Sequence, residues 1–209
     1  MDIAINNWSK CVLGDILFLK NGFTFKSTSY KKTGIPVIRI SDINNFIVDT
    51  SKAIKIEQNN RYEDYVIQKG DILIAMSGAT TGKYGIYLEN KEAYQNQRVG
   101  NLKLYSDILV EKKFIYYLMG KLKEKILDIS YGGAQPNISK KNIEEIEILI
   151  PPLPEQNRIV EKIEELFSDL DEATDDLIKT QEQLEIYRQS VLKAAFEGKL
   201  TEEWRKKYN

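Results

Sequence analysis

The sequence predicts an α+β protein, in which a mixed α/β domain with a twisted sheet covers residues 1–150 and one long coiled-coil helix fills most of residues 151–209. Short β-branched runs bounded by glycine, asparagine, aspartate or proline fill the first segment, which is typical of strands. One amphipathic helical pattern interrupts these runs. Beyond residue 150, apolar residues recur at alternating steps of four and three, which is the repeat of a coiled coil.

The predicted strands of the first segment are short. Because they do not alternate regularly with helices, we expect a mixed and partly antiparallel sheet. The runs are IPVIRI at 35–40, DILIAMS at 71–77, KYGIYL at 83–88, VGNLKLY at 99–105 and IEEIEILI at 143–150.

One segment of the first domain has a helical pattern instead. Between residues 106 and 130, apolar side chains follow steps of four and three, with lysines on the opposite face. This pattern predicts an amphipathic helix packed on the sheet. Its expected buried residues are Phe114, Leu118, Leu122, Ile126 and Ile129.

The stretch YGGAQPNISK at residues 131–140 is a poor helix and a poor strand. Gly132 and Gly133 admit backbone angles closed to other residues, and Gln135 precedes a proline. Asn137 and Ser139 can bond their own backbone, so the stretch predicts a turn.

The long helix is predicted over residues 155–196, a rod of about 60 Å at the usual rise per residue. Pro154 suits a first helical position, and Gly198 suits the left-handed end of a helix. Ten of the eleven repeat positions are apolar or aromatic, Thr180 being the polar one. We call these positions the seam; they are Ile159, Ile163, Leu166, Leu170, Ala173, Leu177, Thr180, Leu184, Tyr187, Val191 and Ala194.

A seam of this length needs a second helix to cover it. The alternative is that the helix packs only against its own domain. Because the sequence holds a single such helix, the expected partner is another molecule, most simply a second copy of the chain.

Composition excludes several kinds of chemistry. The 209 residues contain no histidine, which rules out Ser-His, Cys-His and His-metal sites, and the single cysteine, Cys11, rules out an intramolecular disulfide. No signal peptide or membrane-spanning run is recognisable, so we expect a cytoplasmic protein.

Residues 1–150 carry 21 Lys and Arg against 17 Asp and Glu, a net charge of +4 that suits a polyanion. Residues 151–209 carry 9 against 14, a net charge of −5.

The composition does not exclude catalysis by Asp and Glu side chains. Asp107, Glu111 and Lys113 in DILVEKK superficially resemble the acidic and basic set of a metal-dependent nuclease. The simpler interpretation places the two acids at the exposed start of a helix, where negative charge is favoured.

Several motifs, in order, resemble the specificity subunit of type I restriction-modification enzymes. They are GFTFKSTSY, GIPVIRISDI, KGDILIAMSGATTGKYG, NQRVG, GGAQPNIS, PPLPEQNRIVEKIEELFSDLDEA and YRQSVLKAAFEGKLTEEW. The last two are the most specific, and the resemblance spans residues 8 to 204. It implies that residues 1–150 form a DNA-binding target-recognition domain and residues 151–209 a spacer and dimerisation helix.

Members of this family usually carry two recognition domains and two antiparallel helices in about twice this length. The resemblance therefore implies a half subunit that homodimerises and reads a bipartite palindromic DNA site. Methyl transfer and ATP-driven cleavage would belong to separate methyltransferase and restriction subunits. It implies no catalysis, cofactor or metal in this chain. A non-DNA dimeric scaffold remains a third alternative.

DNA contacts require lysine or arginine for phosphates and arginine, asparagine or glutamine for base edges. Gln135 and Asn137 are candidates, although their turn could instead orient the domain on the helix. The principal candidates lie at loop-like positions of the first domain; they are Lys26, Lys31, Lys32, Arg39, Lys83, Tyr84, Asn96, Gln97 and Arg98.

Overall fold

The computed structural model describes residues 7–44, 46–130 and 136–208. The chain forms two compact units, Met1–Val160 and Glu161–Asn209. In the described part of the first unit the strands are β1 (Ser9–Val12), β2 (Leu17–Asn21), β3 (Tyr30–Lys31), β4 (Ile35–Ile38), β5 (Ile43–Asn44), β6 (Phe46–Val48), β7 (Ile54–Ile56), β8 (Val66–Ile67), β9 (Ile72–Ala75), β10 (Tyr84–Ile86), β11 (Ala93–Gln95), β12 (Val99–Leu104) and β13 (Glu147–Ile150). The described helices are α1 (Lys112–Ser130), α2 (Lys140–Glu144), α3 (Leu153–Phe196) and α4 (Glu202–Tyr208).

The strands build three sheets. A six-stranded sheet has the order β2-β12-β9-β10-β6-β5, a five-stranded sheet has the order β3-β7-β4-β11-β8, and β1 pairs with β13 alone. Two neighbouring pairs, β6 with β10 and β4 with β11, are parallel, and the other pairs are antiparallel. The fold class is confirmed: a mixed, strand-rich domain precedes one long helix.

Helix α1 belongs to the core of the first unit, as predicted, and its buried face is wider than the predicted one. Ile115 and Met119 are fully buried, whereas Leu118 is half-buried and Ile129 is exposed. Phe114, Leu122 and Ile126 are buried in the same cluster as strand residues such as Leu19 and Ile72. Leu118 also packs against this cluster, so the prediction was wrong only for Ile129, while the buried face extends to Ile115 and Met119.

The predicted strand at residues 143–150 is correct only for its second half. Residues 140–144 form helix α2, which begins after Ser139. The Ser139 hydroxyl accepts a hydrogen bond from the Asn142 amide at 3.1 Å, and the Asn142 side chain accepts one from the Ser139 amide at 3.1 Å. This reciprocal cap stabilises a helical turn and allows Ile143 to be buried.

Helix α3 begins within the first unit, where the side chain of Gln156 fixes it. Gln156 is buried; its oxygen accepts from the Glu111 amide at 2.8 Å, and its nitrogen donates to the Pro151 carbonyl at 2.9 Å. Ile159 and Val160 pack against the main core cluster. The first seam residue therefore already contacts its own domain.

In the second unit most of the remaining seam residues are exposed, while Ile163, Val191 and Ala194 are half-buried. Leu166, Leu170 and Leu184 are exposed, and Leu177 reaches 71% exposure. Gly198 has a φ of 75°, the left-handed conformation predicted for the residue that ends the helix. Among the described helices, none has the length and apolar character needed to cross a membrane.

Candidate nucleic-acid interface

A polar cavity of about 500 Å³ opens on the first unit. Three separate segments of the chain meet around it: the end of β9, the turn between β11 and β12, and the segment before α2. Its lining residues are Ser77, Gly78, Gln97, Arg98, Pro136 and Asn137.

The turn between β11 and β12 presents two long polar side chains. The Val99 amide donates to the Asn96 carbonyl at 2.9 Å, and the Asn96 side-chain oxygen accepts from the Arg98 amide at 3.3 Å. Asn96 therefore stabilises the turn itself. Gln97 and Arg98, which it positions, are exposed.

A buried glutamine fixes the base of this turn. Gln95 is fully buried, and its side-chain nitrogen donates to the carbonyls of Lys20 and Val99 at 2.7 Å each. These bonds join β11 to β2 and β12, so the turn starts from an anchored residue.

Backbone hydrogen bonds hold the opposite side of the cavity. The Gly78 amide donates to the Pro136 carbonyl at 3.0 Å, and the Thr81 hydroxyl donates to the carbonyls of Gly78 and Pro136 at 2.7 and 3.1 Å. Gly78 has a φ of 78°, which favours glycine at this position. Asn137 forms an isolated bridge with Ser77, which places its exposed side chain at the cavity.

The segment after β2 lies directly against the turn. A Cβ on Gly22 would lie 2.2 Å from the Asn96 carbonyl oxygen, so only glycine permits this approach. The Phe23 amide donates to the Gln95 carbonyl at 2.8 Å, and the Gln97 amide donates to the Phe23 carbonyl at 2.9 Å. The adjacent Thr24 hydroxyl donates to the side-chain oxygen of Gln97. Sequence analysis missed Thr24, because no local pattern relates it to Gln97.

The two arginines proposed for DNA differ in their surroundings. Arg39 donates through Nε and a terminal nitrogen to the two oxygens of buried Asp42, both at 3.3 Å. In the described ranges, no such carboxylate pairs with the guanidinium of Arg98. Arg98 is therefore the more available cation for a ligand.

The other candidates are dispersed. Lys31 lines a second cavity of about 340 Å³ together with Arg61, and Lys83 lines a third of about 230 Å³ together with Lys123. Lys26 and Lys32 are exposed in the loops that flank β3. The structure thus brings Gln97 and Arg98 together with Asn137, while Gln135 lies outside the described residues.

Tyr84 lies in the core. Its side chain is only 6% exposed, and its ring packs 5.3 Å from that of Phe46 and 5.6 Å from that of Tyr116, centroid to centroid. Burial, with smaller contributions from Tyr116 and Tyr117, raises the pKa of Tyr84 to about 12. Tyr84 also lines the third cavity together with Lys83, so its contact with DNA stays a prediction.

Asp107 and Glu111, the two acids of the nuclease alternative, have different surroundings. The Glu111 carboxylate accepts from the Lys113 amide at 3.2 Å, next to the start of α1, and Asp107 is exposed in the preceding loop. Within residues 7–44, 46–130 and 136–208, no group of three His, Cys, Asp or Glu side chains could hold a metal ion.

The fold is that of specificity subunits of type I restriction-modification systems. The HsdS subunit from Thermoanaerobacter tengcongensis superposes with a TM-score of 0.69 at 21% identity, over 95% of this chain and 46% of that one. The S subunit from M. genitalium superposes with a TM-score of 0.59 at 20% identity, over 82% and 42%. At this level of identity, the likeness establishes the fold.

The chain belongs to the family described as type I restriction modification DNA specificity domain, whose model matches residues 5–186. It is 30% identical to the EcoKI specificity subunit of Escherichia coli strain K12, over 95% of this chain and 44% of that protein. It is 27% identical to the EcoBI specificity subunit of Escherichia coli, over 95% and 40%. The chain thus spans less than half the length of these relatives.

Proposed function

We propose that this protein is a sequence-specific DNA recognition subunit of a type I restriction-modification complex. The observation that carries the proposal is the cavity at which Gln97, Arg98 and Asn137 converge, in a chain whose family is defined by DNA specificity. These are the side-chain types that contact base edges. Gln97 and Arg98 stand on a turn that is fixed at both ends, so they would meet DNA with little loss of conformational entropy.

The exposed lysines would supply contacts of another kind. Lys26, Lys31, Lys32 and Lys83 lie outside the polar cavity and suit phosphate groups. Such contacts orient the protein on the duplex without reading sequence. The first segment carries a net charge of only +4, so the protein alone should bind DNA weakly. Selective binding is then expected in the complex with methyltransferase subunits.

The seam supports a homodimer. Leu166, Leu170, Leu177 and Leu184 are exposed along α3, at a cost of about 25 cal/mol per Å² of apolar surface left in water. A second copy offers a stripe of the same length and spacing, and isologous pairing is the commonest arrangement of identical chains. Antiparallel pairing of α3 would relate two recognition units by a two-fold axis. The DNA target would then be a palindrome whose two halves are separated by unread base pairs.

Catalysis is assigned to the partner subunits. This chain would direct methyltransferase subunits and, where present, an ATP-dependent restriction subunit to the target. Its own residues would contribute DNA contacts and assembly surfaces.

The test is reconstitution with methyltransferase subunits of a type I system, followed by sequencing of the methylated adenines. We expect one motif with two mirror-related halves, and a dimer of the free protein in sedimentation. A motif with unrelated halves, or a monomer at micromolar concentration, would contradict the homodimer. Failure to methylate any specific motif, or metal-dependent DNA cleavage by the purified chain alone, would contradict the recognition function.

A further inference from the structure

We infer that the side chains of Gln97 and Arg98 present chiefly hydrogen-bond donors and therefore favour guanine at the position contacted by Arg98, and that Thr24 is the positioning residue which turns the Gln97 amide for this purpose. The inference deepens the proposed function and rests on it. It concerns the class of base that the cavity reads.

The first step is the contact between Thr24 and Gln97. The Thr24 hydroxyl donates to the side-chain oxygen of Gln97, so this oxygen faces Thr24. The amide nitrogen of Gln97, which is the other end of the same planar group, then faces away from Thr24. In the described part of the chain, this nitrogen has no hydrogen-bond partner.

The second step is the rigidity of the segment that carries Thr24. Two backbone hydrogen bonds join Phe23 to Gln95 and Gln97, and Gly22 lies against the Asn96 carbonyl. The rings on either side of Thr24 are also fixed, since Phe23 and Phe25 pack at 5.2 Å and both contact Tyr62, at 5.2 and 4.9 Å. Thr24 is therefore held between two anchored residues, and its hydroxyl is a stable partner for Gln97.

The third step is the chemistry of base edges in the major groove. A freely rotating glutamine pairs with adenine by donating to N7 and accepting from the N6 amino group. A glutamine whose oxygen faces Thr24 offers its amino group and disfavours this bidentate contact. The Arg98 guanidinium next to it has donors and no acceptor.

Together these side chains match a row of acceptors. Guanine presents two acceptors, N7 and O6, whereas adenine and cytosine each present an amino group that a donor surface would repel. We therefore expect guanine at the position contacted by Arg98. At the neighbouring position contacted by Gln97, we expect guanine, or thymine through its O4 acceptor.

The experiment compares methylated motifs of the reconstituted complex carrying the wild-type chain, Thr24→Val, Thr24→Ser and Gln97→Ala. Thr24→Val keeps the shape of the side chain and removes its hydroxyl, so the Gln97 amide can rotate and accept from adenine. The wild-type complex should discriminate against adenine at that one position by about tenfold to a hundredfold. In the Thr24→Val complex this discrimination should fall to within a few-fold. Thr24→Ser should retain the wild-type motif. Gln97→Ala should relax the same position as Thr24→Val.

A matched control and a modified base sharpen the test. Thr33→Val changes an exposed threonine outside the cavity and should leave the motif unchanged. Replacing the guanine at the Arg98 position by 7-deazaguanine removes one acceptor and should weaken binding about tenfold. Melting curves of each variant check that the domain is folded.

Three results would overturn the inference while leaving the proposed function intact. They are a methylated motif without guanine in either half, an identical motif for wild type and Thr24→Val, and equal relaxation by Thr24→Val and Thr24→Ser. A wild-type complex that methylates no specific motif would overturn both.

Discussion

The ammonium of Lys103 lies 2.7 and 2.8 Å from the two carboxylate oxygens of Asp71. Asp71 is buried, and it also accepts hydrogen bonds from the Asn101 side chain at 2.8 Å and the Gln68 amide at 3.0 Å. Lys103 is in β12 and Asp71 immediately precedes β9. The pair therefore joins β12 to β9, two neighbouring strands of the six-stranded sheet.

Replacing Lys103 by Met should destabilise the first unit by about 3 kcal/mol, because it leaves a buried carboxylate short of its main counter-ion. Lys112, whose ammonium lies 3.7 Å from Asp71, limits the loss. The matched control is Lys10→Met, which breaks a surface pair with Glu147 and should cost under about 1 kcal/mol. Urea unfolding of both variants checks the difference, and equal losses would contradict the assigned role of Asp71.

Replacing Arg98 by Ala should relax one position of the DNA site and cost about 1–3 kcal/mol on the cognate duplex. Lys83→Ala is the comparison, since Lys83 is exposed outside the polar cavity. It should weaken binding to all sequences alike and lower the salt dependence by about one counter-ion. Titration of cognate and random duplexes at several salt concentrations distinguishes the two effects. Unchanged binding and methylation would remove Arg98 from the interface.

Replacing Leu170 and Leu177 by Glu should convert the proposed dimer to a monomer and abolish methylation, because charge would be buried along the seam. The first unit should keep its fold, since both residues lie in the second unit. Ser168→Glu with Gln189→Glu adds the same charge at exposed positions outside the seam and should preserve the dimer. Sedimentation and near-UV circular dichroism supply the two readouts.

Gly120→Ala should destabilise the first unit, although alanine is normally favoured over glycine within a helix by about 1 kcal/mol. The added methyl would lie 2.7 Å from the Tyr84 hydroxyl. In a Tyr84→Phe background this oxygen is absent, so the same change should become neutral or stabilising. A double-mutant cycle of melting temperatures tests the coupling, and additive effects would argue against the contact.

The stability of the first unit should fall above pH 10. The pKa of Tyr84 is raised to about 12 in the fold, mainly by burial, so the unfolded chain ionises at lower pH than the folded chain. The contribution of Tyr84 is fully present below its ordinary pKa near 10 and is lost as the pH rises towards 12. Tyr84→Phe removes this contribution. Its melting temperature should therefore decline less steeply between pH 10 and 12 than that of the wild type, and parallel declines would contradict the assignment.

Sequence patterns were sufficient where local chemistry alone determines the structure. Gly198 ends α3 in the left-handed conformation, because a helix end favours a residue without a Cβ. Residues 143–146 show the opposite case, since they are predicted to begin the strand that starts only at residue 147. The cap formed by Ser139 and Asn142 stabilises a helical turn over residues 140–144 instead, and the alternation of apolar and polar residues that predicts a strand is absent from Ile143-Glu144-Glu145-Ile146.

The candidate site was predictable only in part for the same reason. A polar turn over residues 96–98 follows from its composition, but its neighbours in the fold come from distant parts of the chain. Thr24 and Gln97 are 73 residues apart and meet because β2 and β11 are brought together by tertiary contacts. Tyr84 shows the converse, because a tyrosine in a loop-like sequence became part of the core.

The pairing of β1 with β13 has a consequence for the synthesis of the protein. Residues 9–12 form an antiparallel ladder with residues 147–150, so β1 must wait for β13, which is the last described strand of the first unit. At a translation rate of about 5–20 residues per second, roughly 7 to 27 seconds separate the emergence of the two strands from the ribosome. During this interval β1 cannot form its native ladder with β13. The first unit should therefore complete its fold late, and slowing translation before residue 147 should prolong its exposure to chaperones.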